Sequence, residues 1–476
     1  MKNISASSLR RILCILALSS IGGLCTAAPT RVAFMGDSIT CGIGTKNPAW
    51  DSYSAQLSRM LGDGWEIGGF GYSASNLMKE GALPYEKQGS FGPAQAFKPD
   101  IVVIMLGTND TVPENWKFKD QFVQDYKDFI RRVRAFDSKP QVFICRPPYI
   151  SSKKKDNQTE QTLLDELPMI DQVAESEGVK VIDVHGATLG REDLLADGLH
   201  PNNAGATVIA ETIYAALTGK SWTGAVPDER ISQWNGYQQR DFLLNGSVAT
   251  LVSPKNELPG KPWIWRPQFF GAFPSVDIAL LAMGYHVAYI NLGNSFGAPI
   301  AMKAMDGFYA YLVQKEGFSP KPVLEGFSRG GLFALNWAAR NPDKVAALYL
   351  DAPVCDFNSW PGGKGKSKCS PIDWKCCLEL YKLTEAEALN SPLIPLNNLK
   401  SIAEAKIPII AVAGDADDVV PMEENILILE KRYRELGGEI QVIVKPGVGH
   451  HPHSLTDPTP VVNFLLQPAI KPTASQ

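Results

Sequence analysis

Short apolar runs alternate with helix-like stretches along the chain, and this alternation begins twice. In the first half the apolar runs are residues 32–35, 101–106, 142–145 and 179–184, and the helix-like stretches are 121–136 and 160–177. In the second half the runs are 285–290, 323–324, 346–350, 407–413 and 440–444, and the helix-like stretches are 301–316, 330–340 and 423–437. Such runs are typical of parallel strands buried on both faces, and strands that alternate with helices form helix-covered parallel sheets. The sequence therefore predicts an α/β protein with two parallel-sheet domains.

The length of the chain also favours two domains. It has 476 residues, whereas a single hydrophobic core stops growing at roughly 250–300 residues. The first pattern ends near residue 220, so the predicted domains are residues 29–220 and 221–476. Residues 355–399, rich in Gly, Pro, Lys and Trp, fall between two predicted strands of the second domain, and we expect them to form a lid or insertion.

Residues 1–28 have the features of an export signal. Basic residues at the start precede an apolar run at 12–24, and small residues follow up to Ala28. The run is shorter than the ~20 residues of a membrane-spanning helix, which argues against an anchor. We expect cleavage after Ala27 or Ala28, and a secreted or periplasmic protein without an integral membrane segment.

Charge and cysteine content bear on the expected partners. The formal net charge is −4 and no long basic run is present, so nucleic acid is not an expected partner. Six cysteines follow the signal, and an oxidising compartment permits disulfides; the cluster from Cys355 to Cys377 is the expected place for one. The adjacent Cys376-Cys377 pair lacks the spacing and histidine partners of a zinc site, so no metal or cofactor is predicted.

Candidate catalytic residues follow the predicted strands of the first half. Gly36-Asp37-Ser38 follows the first strand, where open parallel sheets bind ligands, although turns often contain these residue types. Asn109 lies just beyond the strand at 101–106, and Asp197 precedes His200 by three residues. That spacing lets a carboxylate orient an imidazole toward a serine. A backbone N–H at Gly71 offers a donor to a developing oxyanion.

Taken in order, these residues resemble the SGNH (GDSL-type) hydrolase family over about residues 30–217. The resemblance implies a flavodoxin-like parallel-sheet sandwich in which Ser38 is the nucleophile, His200 the base and Asp197 the acid that orients it. It also implies that the oxyanion is bound by the N–H groups of Ser38 and Gly71 and by the side chain of Asn109.

A second set of candidate residues lies in the second half. Gly326-Phe327-Ser328-Arg329-Gly330 fits the G-x-S-x-G elbow, a strand-to-helix turn that projects a serine hydroxyl. Asp417 follows the strand at 407–413, and His450 follows the strand at 440–444. This order resembles the α/β-hydrolase family over about residues 245–466, and implies Ser328 as nucleophile, Asp417 as acid and His450 as base. Asp351, at the end of an earlier strand, is the alternative acid.

The motifs indicate the oxyanion donors of the second site less directly than its serine, acid and histidine. The N–H of Arg329, which follows the nucleophile, is the first expected donor. The second is expected from a loop at residues 263–266, with Trp265 as the candidate. His451 and His453 lie close to His450 in sequence, and one of them is expected to be a surface or substrate-contacting residue.

Together the two sites predict an exported serine esterase that acts on acylated carbohydrate. The first domain is similar to SGNH members that deacetylate sugars, including sialate and plant-polysaccharide O-acetylesterases. The candidates for stacking on sugar rings, or for packing in the core, are Trp50, Trp116, Trp263, Trp265 and Trp360. Two alternatives stay open: an SGNH acyltransferase, in which a sugar hydroxyl captures the acyl group, and a single-site esterase whose second domain is a non-catalytic carbohydrate-binding module.

Overall fold

A computed structural model of the chain describes residues 28–152 and 158–467. The predicted export signal lies outside these residues. Within them, the strands form two sheets, one of five strands and one of nine. In the described part of the chain, no helix is both long enough and apolar enough to cross a membrane.

The first sheet is parallel throughout, with the strand order β2-β1-β3-β4-β5. Its strands are β1 (Thr30–Gly36), β2 (Trp65–Gly71), β3 (Ile101–Met105), β4 (Gln141–Arg146) and β5 (Lys180–Asp183). Four of them coincide with predicted runs. The prediction missed β2, an edge strand in which three glycines interrupt the apolar pattern.

Helices pack on both faces of this sheet. They are α1 (Ser38–Cys41), α2 (Pro48–Asp51), α3 (Tyr53–Leu61), α4 (Phe91–Ala96), α5 (Pro113–Trp116), α6 (Phe122–Arg134), α7 (Glu160–Glu177), α8 (Val184–Thr188) and α9 (Asn203–Thr218). Alternate residues of β1 enter two different clusters: Ala33 packs with residues of α6, whereas Phe34 packs with residues of α3 and α9. This two-sided burial explains the continuous apolar run.

The second sheet has the strand order β14-β13-β12-β11-β9-β10-β8-β7-β6. Its strands are β6 (Glu229–Trp234), β7 (Tyr237–Leu244), β8 (Ser247–Ser253), β9 (Trp263–Arg266), β10 (His286–Ile290), β11 (Val323–Phe327), β12 (Ala347–Asp351), β13 (Ile409–Gly414) and β14 (Ile440–Lys445). The antiparallel strands β6 to β8 and the short β9 were not predicted; the other five were. From β7 onward, the order confirms the expected α/β-hydrolase architecture, with β6 added at the edge.

The helices of the second domain are α10 (Ser275–Ala282), α11 (Pro299–Gln314), α12 (Gly330–Arg340), α13 (Pro371–Tyr381), α14 (Glu385–Leu389), α15 (Leu399–Glu404), α16 (Ile426–Glu435) and α17 (Thr459–Leu465). Residues 355–399 lie between β12 and β13, as expected of an insertion. Cys355, Trp374 and Tyr381 anchor this segment in the domain core. Its role as a lid stays a prediction.

The expectation of a disulfide near Cys355 is wrong. The six cysteines of the described residues are free thiols. Cys355 and Cys377 are buried as small apolar side chains of the core, whereas Cys369 is exposed. Burial raises the pKa of the Cys377 thiol to about 12, which keeps it protonated and unreactive.

Three of the tryptophans proposed to stack on sugars instead pack inside the protein. Trp263 and Trp265 are fully buried and stack on each other with ring centroids 5.4 Å apart. Trp50 is also buried, and the Arg59 guanidinium covers its ring at 4.1 Å. For these three residues the packing interpretation is correct. Burial of a large aromatic ring removes a large apolar area from water, which stabilises the folded chain.

The two domains touch through the first helices and the edge of the second sheet. The Asn47 Nδ2 group donates to the Gly246 carbonyl at 3.0 Å, and Arg59 Nε donates to the Pro227 carbonyl at 2.8 Å. A cavity of about 530 Å³ lies between them, lined by both α3 and the β6–β7 strands.

Candidate active sites

The first candidate nucleophile lies on the turn that joins β1 to α1. Ser38 is the first residue of α1, and the Asp37 side chain caps the helix by accepting the Ile39 N–H at 2.9 Å. Gly71, at the end of β2, packs directly under this turn. A Cβ at Gly71 would lie 2.6 Å from Cys41 N and 2.8 Å from Asp37 O. Close packing therefore requires glycine at position 71, whether or not its N–H binds an oxyanion.

The structure brings Ser38, His200 and Asp197 together. Ser38 Oγ lies 2.9 Å from His200 Nε2, and His200 Nδ1 lies 2.7 Å from Asp197 Oδ2. Asp197 Oδ1 accepts the N–H groups of Leu199 at 3.0 Å and His200 at 2.8 Å. Partial burial raises the pKa of Asp197, but these hydrogen bonds outweigh burial and leave the pKa below its ordinary value. An ionised Asp197 holds the proton on Nδ1 and leaves Nε2 free to accept the serine proton.

Asn109 and the loop after β2 lie beside this array. Asn109 Nδ2 donates to the Ser75 carbonyl at 3.0 Å and lies 3.4 Å from Asp37 Oδ2. In the same loop Ala74 is exposed and has a left-handed backbone (φ 62°). Its N–H is a candidate oxyanion donor that the sequence prediction, guided by glycine, did not consider. A left-handed alanine leaves no mark in the sequence.

Buried carboxyl groups lie beneath the first site. Burial raises the pKa of Asp37 to about 6, and raises that of Asp110 to about 7 despite N–H donors from Leu77 and Met78. Burial and the nearby Asp110 and Asp37 raise the pKa of Glu166 well above its ordinary value. Neither oxygen of Glu166 has a hydrogen-bond partner among the described residues. The protonated form of Glu166 is therefore favoured.

The second candidate nucleophile has the strained conformation of an elbow. Ser328 joins β11 to α12 with φ 48°, a region that side chains other than glycine adopt at a cost. Its N–H donates to the Asp351 carbonyl at 2.9 Å, and its carbonyl accepts the Val354 N–H at 2.8 Å. A Cβ at Gly331 would lie 2.7 Å from both Pro353 Cβ and Val354 O. Close packing therefore requires glycine at position 331, the residue after the motif, whereas a Cβ at the motif's Gly330 would meet only Gln268 Cβ, at 3.5 Å.

Ser328, His450 and Asp417 also come together. Ser328 Oγ lies 3.0 Å from His450 Nε2, and His450 Nδ1 lies 2.8 Å from Asp417 Oδ2. The Asp417 side chain is fully buried, and its Oδ1 accepts the N–H groups of Val419 at 2.9 Å and Val420 at 2.8 Å. These contacts fix the imidazole in the orientation that a general base requires.

The alternative acid, Asp351, contacts a different histidine. Its Oδ1 lies 2.7 Å from His453 Nδ1, and its Oδ2 accepts the Ser454 N–H at 2.9 Å. Two carboxylate–histidine pairs, Asp417–His450 and Asp351–His453, therefore lie side by side. Of these two histidines, it is His450 that lies within hydrogen-bond distance of Ser328 Oγ.

The assignment of Trp265 as an oxyanion donor is wrong. Trp265 lies within β9, paired with β10 on one side and β11 on the other, and its side chain is fully buried. An interior strand residue uses its N–H in the sheet. The loop that approaches Ser328 begins after β9, where Arg329 Nε donates to Gln268 Oε1 at 3.2 Å. Phe269, with φ 56°, lines the same pocket as Ser328 and is the candidate that the sequence analysis missed.

A small pocket of about 140 Å³ opens at Ser328. Its walls are largely aromatic, and His450, His451 and His453 close one side. The complete lining is Phe269, Ala272, Phe273, Phe327, Ser328 and the three histidines. The volume is below the roughly 300–1,000 Å³ of pockets that enclose a drug-sized ligand, so it admits one small group of a substrate.

Comparison with known proteins finds a family match within the first domain. Residues 34–208 match the GDSL-like Lipase/Acylhydrolase family. The chain is 37% identical over 206 residues to an acetylxylan esterase of Xylanibacter ruminicola, a match that covers 39% of this chain and 43% of that protein. The chain thus spans less than half the length of that relative.

Two further comparisons are more distant. A lipase of Moraxella sp., Lipase 3, is 24% identical over 256 residues, covering 45% of this chain and 79% of the lipase. Est24, a carbohydrate acetylesterase from Sinorhizobium meliloti, superposes with a TM-score of 0.35 and 19% identity, covering 40% of this chain and 99% of Est24.

Proposed function

We propose that the chain is an exported serine esterase with two active sites, one in each domain. The match of residues 34–208 to the GDSL-like Lipase/Acylhydrolase family supports ester hydrolysis by the first domain. The observation that carries this proposal is the repeated contact geometry. In each domain a serine hydroxyl lies 2.9 or 3.0 Å from the Nε2 atom of a histidine whose Nδ1 atom lies within 2.8 Å of a carboxylate.

At the first site, His200 Nε2 removes the Ser38 proton as Oγ attacks the ester carbonyl carbon. The negative charge that develops on the carbonyl oxygen is stabilised by the Asn109 side chain and by backbone N–H groups, of Ser38 and of either Ala74 or Gly71. One such donor typically contributes ~3 kcal/mol to the transition state. His200 then protonates the leaving alcohol, and water attacks the acyl-enzyme in the second half of the cycle.

At the second site, Ser328, His450 and Asp417 perform the same steps. The N–H groups of Arg329 and Phe269 are the candidate oxyanion donors. The backbone strain at Ser328 keeps its hydroxyl directed at the pocket. The contacts that link Ser328, His450 and Asp417 favour a catalytic role for this domain over a purely carbohydrate-binding one.

The substrate proposed for the first site is O-acetylated carbohydrate. Support comes from the similarity to the acetylxylan esterase, 37% identical over 206 residues, together with the GDSL-like match at residues 34–208. Export would bring such an enzyme to polysaccharide outside the cell. For the second site we propose another ester of the same material, with a small group that fits the 140 Å³ pocket.

The test is acetate release from acetylated xylo-oligosaccharides by the wild type, Ser38→Ala, Ser328→Ala and the double variant, with p-nitrophenyl acetate as a general ester. Ser176→Ala is the matched control, because Ser176 is an exposed serine of α7. We expect Ser38→Ala to abolish release from the oligosaccharides and the double variant to lose all ester cleavage. Release that persists in Ser38→Ala would refute the assignment of that substrate to the first site.

A further inference from the structure

Three imidazoles converge beside Ser328. The ring centroids of His450, His451 and His453 are 4.9 Å apart in each of the three pairs, and the ring planes are inclined at 70°, 79° and 88°. One ring nitrogen from each lies within 4.8 Å of the other two. The described residues contain no other group of three histidine, cysteine or acidic side chains with this convergence.

Buried carboxylates form hydrogen bonds with the Nδ1 atoms of two of these rings. His450 Nδ1 contacts Asp417 at 2.8 Å and His453 Nδ1 contacts Asp351 at 2.7 Å, and both carboxylates are fully buried. Neither carboxylate contacts the Nε2 atom of its ring, and Nε2 of His450 faces Ser328 Oγ at 3.0 Å. Histidines that bind metal ions almost always donate their other ring N–H to a carboxylate, a carbonyl or water. His451 is exposed, and its ring stacks on Phe273 with centroids 6.0 Å apart.

The spacing suits a tetrahedral ion. With Zn–N bonds of about 2.0–2.1 Å, tetrahedral geometry places ligand nitrogens about 3.3 Å apart and ring centroids about 5 Å apart. The centroids already have that separation, and the nitrogens, which lie within 4.8 Å of one another, need to approach by at most about 1.5 Å. Rotation of the exposed His451 side chain and small changes at the other two rings supply this movement.

We propose that His450, His451 and His453 bind a Zn²⁺ ion, and that the ion reversibly inhibits the second active site. The ion and the Ser328 hydroxyl compete for His450 Nε2, so a zinc-bound His450 cannot accept the serine proton. Binding follows from the histidines alone; the inhibition rests on the function proposed for Ser328. The first site has a single histidine, His200, and is not inhibited in this way.

Binding is tested directly by isothermal titration calorimetry of the metal-free full chain with ZnCl₂. We expect one site per chain that requires the histidines, and affinity more than about tenfold weaker in His451→Gln and in His453→Gln. His451→Gln keeps the fold intact, because the residue is exposed. His200→Gln is the matched control, since His200 has the same carboxylate contact without neighbouring histidines, and we expect it to bind like the wild type. Binding that is unchanged in both His451→Gln and His453→Gln, or undetectable in the wild type, would overturn the proposal.

Inhibition is measured on p-nitrophenyl acetate in two backgrounds. In Ser38→Ala, where only the second site works, we expect zinc to inhibit, and His451→Gln to shift the inhibitory concentration upward by more than tenfold. In Ser328→Ala, zinc should leave the remaining activity unchanged. Equal inhibition in both backgrounds would contradict the proposed mechanism. If the second site cleaves no ester, the proposed function fails there, and calorimetry still decides whether the zinc site exists.

Discussion

Replacement of Asp417 by asparagine tests which of the two carboxylate–histidine pairs at the second site takes part in catalysis. Asp417 Oδ1 accepts two backbone N–H groups, from Val419 and Val420, so the asparagine oxygen will take that position. Its NH₂ group then faces His450 Nδ1, which must accept a hydrogen bond there instead of donating one. The proton moves to Nε2, and the imidazole can no longer take the proton of Ser328.

The expected loss is ~10⁴-fold in kcat, the magnitude found when the acid of a serine protease triad is replaced in the same way. This corresponds to about 5.4 kcal/mol of transition-state stabilisation. Asp351→Asn is the matched comparison, because Asp351 is an equally buried carboxylate that contacts His453 rather than His450. It should lower kcat by less than about tenfold, which is about 1.4 kcal/mol.

Both variants are assayed for p-nitrophenyl acetate hydrolysis in the Ser38→Ala background, where only the second site contributes. Thermal unfolding of each variant shows whether the assay temperature lies below its transition. An Asp417→Asn enzyme within tenfold of its parent, or an Asp351→Asn enzyme that loses as much activity while folded, would refute the reasoning.

Other consequences concern the first site and the fold. Asn109→Ala should lower kcat on acetylated oligosaccharides ~10²–10³-fold with little change in KM, measured by initial rates; a change in KM alone would contradict an oxyanion role. Gly331→Ala should lower the free energy of unfolding by about 1–3 kcal/mol in urea titrations, whereas Gly64→Ala, with no atom within 4 Å of the added Cβ, should be nearly neutral. Because burial raises the pKa of Glu166 in the folded state, the folded chain binds more protons than the unfolded chain and stability falls as pH rises above the ordinary carboxyl range. Glu166→Gln should reduce that fall, measured by urea titration at pH 5 and pH 8; an unchanged slope would show that Glu166 does not contribute.

The candidate catalytic residues were predictable where a short motif encodes a backbone shape. Ser328 lies on a tight turn, where a Cβ at Gly326 would lie 2.9 Å from Leu350 Cδ2 and one at Gly331 2.7 Å from Pro353 Cβ, and such close packing appears in the sequence as glycine. Ser38 was found because it directly follows a predicted strand, and Asp197 and His200 were found because the acid precedes the base by three residues. Ser38 and His200 are 162 residues apart in the sequence. The parallel sheet that the apolar runs predicted brings them into contact.

The residues that the sequence analysis missed depend on tertiary packing. Residues 263–266 were predicted to be a loop, yet they form strand β9, and edge-to-face contacts with Trp337 and Phe308 bury Trp265 completely. Phe269 and Ala74 are candidate donors because of their positive φ angles, which neither residue type indicates. The choice between Asp417 and Asp351 depended on which histidine each one reaches.

The central claim, that one chain carries two nucleophilic serines, is tested most directly by covalent labelling. The intact protein is treated with a fluorophosphonate, which reacts with activated serines, and its mass is measured. The wild type should gain two adducts, Ser38→Ala and Ser328→Ala one each, and the double variant none. A wild type that gains a single adduct, lost entirely in one of the two single variants, would contradict the two-site account.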